Sequence, residues 1–315
     1  MQKMGVCIMK TTFLGSQFRY LIQSFPQRKK LWHRLYFFYE MFRLVSKYIA
    51  LRLALLRPGP PIHTGGKTCV VVLLSHNRPQ NLEILVRGAL QNSFVKKIIV
   101  SNSNPKFRMA DWVKVKDARL QMVDEKQKTL PGHRFVIAAA ELGDYFLSVD
   151  DDIFFTPAQW ANFFNFLLRD EEAPHGISGQ LYHPDVLFSN GTVFHHRENT
   201  ETDVDVLIGA YAFTRTHLER VFEQANALEL GSLSKIGNGE DILLSFAGTK
   251  AARIHNLGQP LLCASTSLKG VALWKTWENF WDERVTLFEK VRATRRTLEP
   301  SLEKITLPKA AHANI

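Results

Sequence analysis

The apolar stretch Tyr145-Phe146-Leu147-Ser148-Val149 runs directly into three carboxylates, Asp150, Asp151 and Asp152. Side chains alternate faces along a strand, so this spacing predicts Asp150 and Asp152 on one side and Asp151 on the other. Carboxylates crowded at the end of a buried strand repel one another unless a hard divalent cation sits among them. Mg²⁺ or Mn²⁺ held by one or two aspartates keeps positions open for substrate phosphates. An acidic strand-to-loop turn, with Asp152 as a cap, is the plain alternative. A second acidic pair closes the run Gly237-Asn238-Gly239-Glu240-Asp241, where a helical pattern begins. Acids there are also favoured by the partial positive charge of a helix N-terminus. Two turns add basic and amide groups: Ser75-His76-Asn77-Arg78-Pro79 and Asn102-Ser103-Asn104-Pro105. Arg78 and Asn102 suit a base, ribose or phosphate, although Asn and Pro are ordinary turn residues as well.

These groups need a frame, and the apolar pattern supplies one. The unbroken run Thr68–Ser75 predicts a buried strand, Gln80–Gln91 an amphipathic helix and Lys97–Ser101 a second strand. Arg134–Glu141 and Pro157–Arg169 are predicted helices on either side of the acid-bearing strand. The aromatics Trp160, Phe163, Phe164 and Phe166 are expected to pack in the core. Leu181, Tyr182 and Thr192–His196 read as antiparallel strands, Val204–Phe213 as a further strand, and Glu240–Gly248 and Phe280–Thr297 as helices. Strand-helix alternation followed by mixed strands indicates an α/β fold with a mainly parallel sheet. In such sheets ligands bind beyond the carboxyl ends of the strands, where both turns and the triplet fall.

The charge is unevenly placed. Of 40 Lys and Arg, eleven lie in residues 1–66, against Glu40 alone among 30 acids, so the whole +10 excess belongs to that segment. A nucleic-acid-binding enzyme would spread basic charge over its folded domain, which argues against nucleic acid as a partner. Residues 1–57 read as helical, and Phe37–Leu56 carries too many charges to cross a bilayer. An amphipathic helix with a cationic face suits an anionic membrane surface; packing on the domain is the plain alternative. The Pro- and Gly-rich stretch after Arg57 reads as a linker. The expected organisation is a basic helical extension with linker over 1–66, a catalytic domain over 67–297 and a tail over 298–315. Cys7, Cys69 and Cys263 suit no metal cluster or disulfide framework and favour a reducing compartment.

The ordered set Ser75-His76-Asn77-Arg78, Asn102 after a strand, Arg134-Phe135, Ser148-Val149-Asp150-Asp151-Asp152, Leu207–Phe213 and Gly239–Phe246 resembles the exostosin-type glycosyltransferases, glycosyltransferase family 64, over roughly residues 67–295. The segments IGAYAF and GEDILLSF are its most specific parts. The resemblance implies a GT-A nucleotide-diphospho-sugar fold with an N-terminal helical extension. It implies Asp152 and Asp150 as ligands of Mn²⁺ or Mg²⁺, and Arg78, Asn102, Arg134 and Asp151 in the nucleotide-sugar site. Asp241 matches the family's catalytic or acceptor-orienting acid, with Glu240 where Asp is more usual. Trp274 and Asp282-Glu283-Arg284 resemble a segment closing over the donor, placing Arg284 near the diphosphate. His255 is weighed as a metal ligand against an ordinary structural histidine.

The implied reaction moves a sugar, N-acetylhexosamine being favoured, from a UDP-sugar to a glycan or glycolipid acceptor with retention of configuration. The alternatives are an inverting family-2-like glycosyltransferase, a glycoside hydrolase built on paired carboxylates, and a non-catalytic membrane-associated scaffold. The N-terminus reads without a secretion signal, giving the expectation of a cytoplasmic enzyme attached peripherally to a membrane, with a Golgi or endoplasmic-reticulum location as the alternative.

Overall fold

The computed structural model describes residues 12–24, 31–182, 201–265, 268 and 271–302. The chain opens with two helices, α1 (Phe13–Ser24) and α2 (Leu31–Ala54). There follow β1 (Cys69–Ser75), α3 (Leu82–Leu90), β2 (Val95–Asn102), α4 (Met109–Trp112), β3 (Leu120–Asp124), α5 (His133–Ala140) and β4 (Tyr145–Val149). The middle holds β5 (Ile153–Phe154), α6 (Pro157–Arg169), β6 (His175–Gly176), β7 (Gly179–Gln180), β8 (Thr202–Val204), β9 (Val206–Leu207), β10 (Ala210–Thr214) and α7 (Arg215–Ala227). The last elements are α8 (Glu240–Ser245), β11 (Ala252–Ile254), β12 (Leu261–Leu262), α9 (Leu273–Thr276) and α10 (Phe280–Leu302).

Among the described residues the main sheet has eight strands in the order β3-β2-β1-β4-β10-β6-β11-β8. The first four are parallel, as the buried β-branched runs of β1 and β2 require. β10 then runs antiparallel to β4, with Ala210 opposite Val149, so the chain entering β10 passes the carboxyl end of β4. Alternation along β1 sends Val71 and Leu73 to one face and Val70 and Val72 to the other. The first face packs against α3, α6 and the N-terminal helices; the second packs against α5, α7, α8 and α10. Trp160, Phe163 and Phe164 of α6 are fully buried, as expected. Thr156 caps that helix by accepting from the Gln159 amide, while the Gln159 side chain accepts from the Thr156 amide.

The N-terminal helices belong to this packing. Phe13, Leu21, Leu44, Leu51 and Leu55 are buried in the first core. Gln17 ties α1 to the domain, its carbonyl accepting from the Ala264 amide at 2.9 Å and its amide reaching Asn81 Oδ1 at 3.4 Å.

The expected strand Val204–Phe213 is instead three strands, β8, β9 and β10, which lie in different places. Gly209 breaks the run with φ +76°, a left-handed conformation that reverses the chain beside Asp150. Leu181 and Tyr182 are not in a strand. The expected strand Thr192–His196 lies outside the described residues.

Candidate active site

Three strand ends and one helix start meet at a cavity of about 1510 Å³. The turn after β1 contributes His76, Asn77 and Arg78; the turn after β4 contributes Asp150, Asp151 and Asp152. Arg134 comes from α5, Glu240 and Asp241 from α8, and Arg284 from α10. This is the crevice beyond the carboxyl ends of parallel strands.

β4 ends at Val149, so the triplet itself is a turn, closed by the Ile153 amide donating to the Asp150 carbonyl at 3.1 Å. Strand alternation therefore does not govern the three carboxylates, and their partners divide differently from the expectation. Arg78 holds two of them, Nε to Asp151 Oδ1 and Nη1 to Asp152 Oδ2, each at 2.8 Å. Asp150 Oδ1 instead accepts from Arg134 Nη2 at 2.7 Å. Arg134 is itself fixed by Nη1 donating to Ser148 Oγ and Nε to the Pro131 carbonyl, and its guanidinium lies 4.8 Å from the Tyr211 ring centroid. The Asp150 amide donates to the Gly209 carbonyl at 2.7 Å, pinning the end of β4 to the chain entering β10.

The second acid pair stands across Arg134. Glu240 Oε1 is 3.8 Å from Arg134 Nη2. Asp241 is clamped by Arg284 through both oxygens at 2.9 Å, a fork-to-fork geometry that only arginine provides. Gly239, at φ +98°, lets the chain enter α8 with both acids facing inward and buried.

Burial acts on the acids. It pushes the Asp151 carboxyl up to about 7, with Asp152 and Asp150 adding repulsion and Arg78 opposing. Burial, then the Asp241 charge, pushes Glu240 up to about 7 as well, while Arg134 opposes. The cavity floor thus sets five carboxyl groups, two of them raised to about 7, against three guanidiniums. Oδ2 of Asp150 and Oδ1 of Asp152 have no partner among the described residues. No group of three His, Cys, Asp or Glu that could hold a metal occurs among those residues. The donor set nevertheless fits a hard divalent cation that takes two carboxylate oxygens from protein and the rest from phosphate and water.

Not every expected site residue reaches the cavity. Asn102 does not line it: its amide donates to the Asn104 and Phe107 carbonyls and to Asp124 Oδ1, clasping its own loop, while Ser101 and Ser103 line the wall. Arg284 lines the cavity but is buried, with its guanidinium committed to Asp241. His255 lines the cavity but bonds to His175 at 2.8 Å and stacks on Phe166, and its pKa is depressed by burial to about 3. Trp274 stands half-exposed on the wall. Tyr211, Gln180 and Ser265 also line the site or bond within it and were not singled out from the sequence. Tyr211 lies in the quoted IGAYAF segment, but a strand residue gives no signal that its ring will carry an arginine.

The glycosyl transferase family 64 domain profile matches residues 68–280. The chain belongs to that family. The protein is therefore a glycosyltransferase, and the central sheet with its acid-bearing strand is of the GT-A class expected from sequence. Comparison with curated protein sequences finds no match. Among solved structures, GalNAc-T7 with UDP, GalNAc and Mn²⁺ aligns with a TM-score of 0.45 and 12% identity, over 74% of this chain and 54% of that one. The mannosyltransferase PcManGT from Pyrobaculum calidifontis, in complex with GDP-Man and Mn²⁺, gives a TM-score of 0.45 and 16% identity, over 84% of each chain. This chain spans about half the length of the GalNAc-T7 chain.

Proposed function

We propose that this glycosyltransferase transfers N-acetylhexosamine from its UDP-sugar to a glycan or lipid-linked hydroxyl, with retention, and that it needs Mn²⁺ or Mg²⁺. The observation that carries this reading is the excess of carboxyl groups over guanidiniums on the cavity floor, where Oδ2 of Asp150 and Oδ1 of Asp152 have no partner among the described residues. Asp150 and Asp152 would hold the cation, which supplies charge compensation for a departing diphosphate. Arg78 orients both Asp151 and Asp152, and Arg134 orients Asp150, so the acids are fixed before substrate arrives. His76 and Asn77 line the adjoining wall, where a nucleoside would lie.

In the reaction the bond from the anomeric carbon to the phosphate oxygen breaks, its electron pair leaving with UDP, and a bond forms to the acceptor oxygen. Asp241, clamped by Arg284, faces the positive charge that develops at the anomeric carbon. Both Asp241 oxygens are taken up by Arg284, which favours transfer on the face of the leaving group, whose phosphate oxygen takes the acceptor proton. One observation favours the inverting alternative: Glu240, with its carboxyl near 7, has the proton affinity of a general base.

Purified protein incubated with UDP-, GDP- and CMP-sugars is expected to release UDP from a UDP-sugar only with Mn²⁺ or Mg²⁺, and to stop on addition of EDTA. Activity that persists in EDTA would overturn the proposal, as would the absence of any bound sugar nucleotide by calorimetry. Proton NMR of the anomeric signal in the first-formed product separates retention from inversion.

A further inference from the structure

α2 presents three faces. Leu44, Leu51 and, just past its end, Leu55 are buried in the core. Tyr36, Glu40, Arg43 and Lys47, spaced four, three and four apart, form one wall of the active-site cavity. The third face is outward and apolar: Leu35, Phe38, Phe42, Ile49, Leu53 and, in the following turn, Leu56 are between 51% and 78% exposed. At 100° per residue these six fall in one stripe. Exposed Arg34 and Arg52 border it on one side; exposed Arg43 and Arg57 border it on the other.

An exposed apolar stripe of this length on a folded domain marks a contact surface. Its charge identifies the contact. Glu40 is the one acid in residues 1–66, and it is paired with Arg43 at 2.7 Å. Arg34 and Arg52 on one border and Arg57 on the other can reach lipid phosphates while the stripe enters the acyl boundary. Among the described residues no helix is long and apolar enough to cross a membrane, so α2 would lie on a bilayer rather than span it. A second copy would set the same cations face to face, which disfavours self-pairing.

We propose that the outward face of α2 seats the enzyme on an anionic bilayer, so that the cavity walled by the same helix opens at the lipid surface and receives an acceptor anchored there. The acceptor clause rests on the function proposed above; the seating does not.

The test uses the full chain with vesicles of phosphatidylcholine alone or mixed with phosphatidylglycerol, read by sedimentation. The wild type is expected to bind the anionic vesicles and to be released by salt. Phe38→Asp/Phe42→Asp and Arg34→Glu/Arg52→Glu are each expected to lose at least about tenfold in partitioning, with unchanged melting and Mn²⁺-dependent UDP binding. Variants that partition like the wild type, or a wild type that ignores anionic vesicles, would overturn the proposal. So would a concentration-dependent dimer that Phe38→Asp/Phe42→Asp dissolves, which assigns the face to a second copy. Vesicle binding is read without any sugar nucleotide, so loss of UDP binding alone would sink the enzymatic reading and leave the membrane seat standing.

Discussion

Asp241 and Arg284 form the most constrained pair in the site, two buried groups joined by two bonds of 2.9 Å. Asp241→Asn keeps the shape but removes the carboxylate that the proposed mechanism sets against the anomeric carbon. Turnover is expected to fall by about 10²–10³, with donor affinity by calorimetry little changed. Equal losses in both would assign Asp241 to donor binding instead. Glu240 carries a stability signature. Its carboxyl is raised to about 7 in the folded protein, against about 4.5 when exposed, so the native state binds the extra proton between those values. That contribution is fully present below about pH 4.5 and is lost as pH rises through about 7. The metal-free protein should therefore lose stability from pH 5 to 8, and Glu240→Gln should lose less, as thermal melts would show. Parallel slopes would contradict this. The sequence names nearly all of these residues but not their pairings. Arg78 meets Asp152 across 74 positions, and the turn after Val149, not strand alternation, decides which acid it takes.

Elements were legible in proportion to their length. β1, β4 and α6 bury runs long enough for a period to show, and their expected positions match closely. β6, β7, β9 and β12 are two residues each, too short to carry any period. β3 was missed because its residues are half-buried or exposed at the sheet edge, leaving no apolar run to read. The element that carries the buried acids Glu240 and Asp241 is α8, and its entry depends on Gly239. A methyl group there would meet Leu287 Cδ2 at 2.4 Å on a backbone that L-residues rarely adopt. Gly239→Ala should cost about 1–3 kcal/mol in chemical denaturation and reduce activity beyond that loss. A variant as stable and active as the wild type would show that α8 tolerates a different entry.

At the scale of the molecule, the composition shift near residue 66 leaves open whether the extension meets a membrane or packs on the domain, and side chains from α1 and α2 fill part of the first core. Composition marks where chain character changes; burial depends on which helix returns to the sheet, and that is a tertiary fact. Removing residues 1–66 should uncover the apolar surface that met Phe13, Leu21, Leu44, Leu51 and Leu55, each worth about 1.5–3 kcal/mol. The sum rivals the whole net stability of a domain, about 5–15 kcal/mol. The truncated protein is expected to aggregate or to lose a cooperative melt; a soluble, cooperatively folded remainder would refute this.

The Gln17 bridge to Ala264 joins positions 247 residues apart. During synthesis the first helix therefore waits for this partner until 247 further residues have been made, and contacts of such span close slowly. Over that interval part of the apolar surface of α1 stays uncovered, so nascent chains should benefit from holding chaperones or an early lipid encounter.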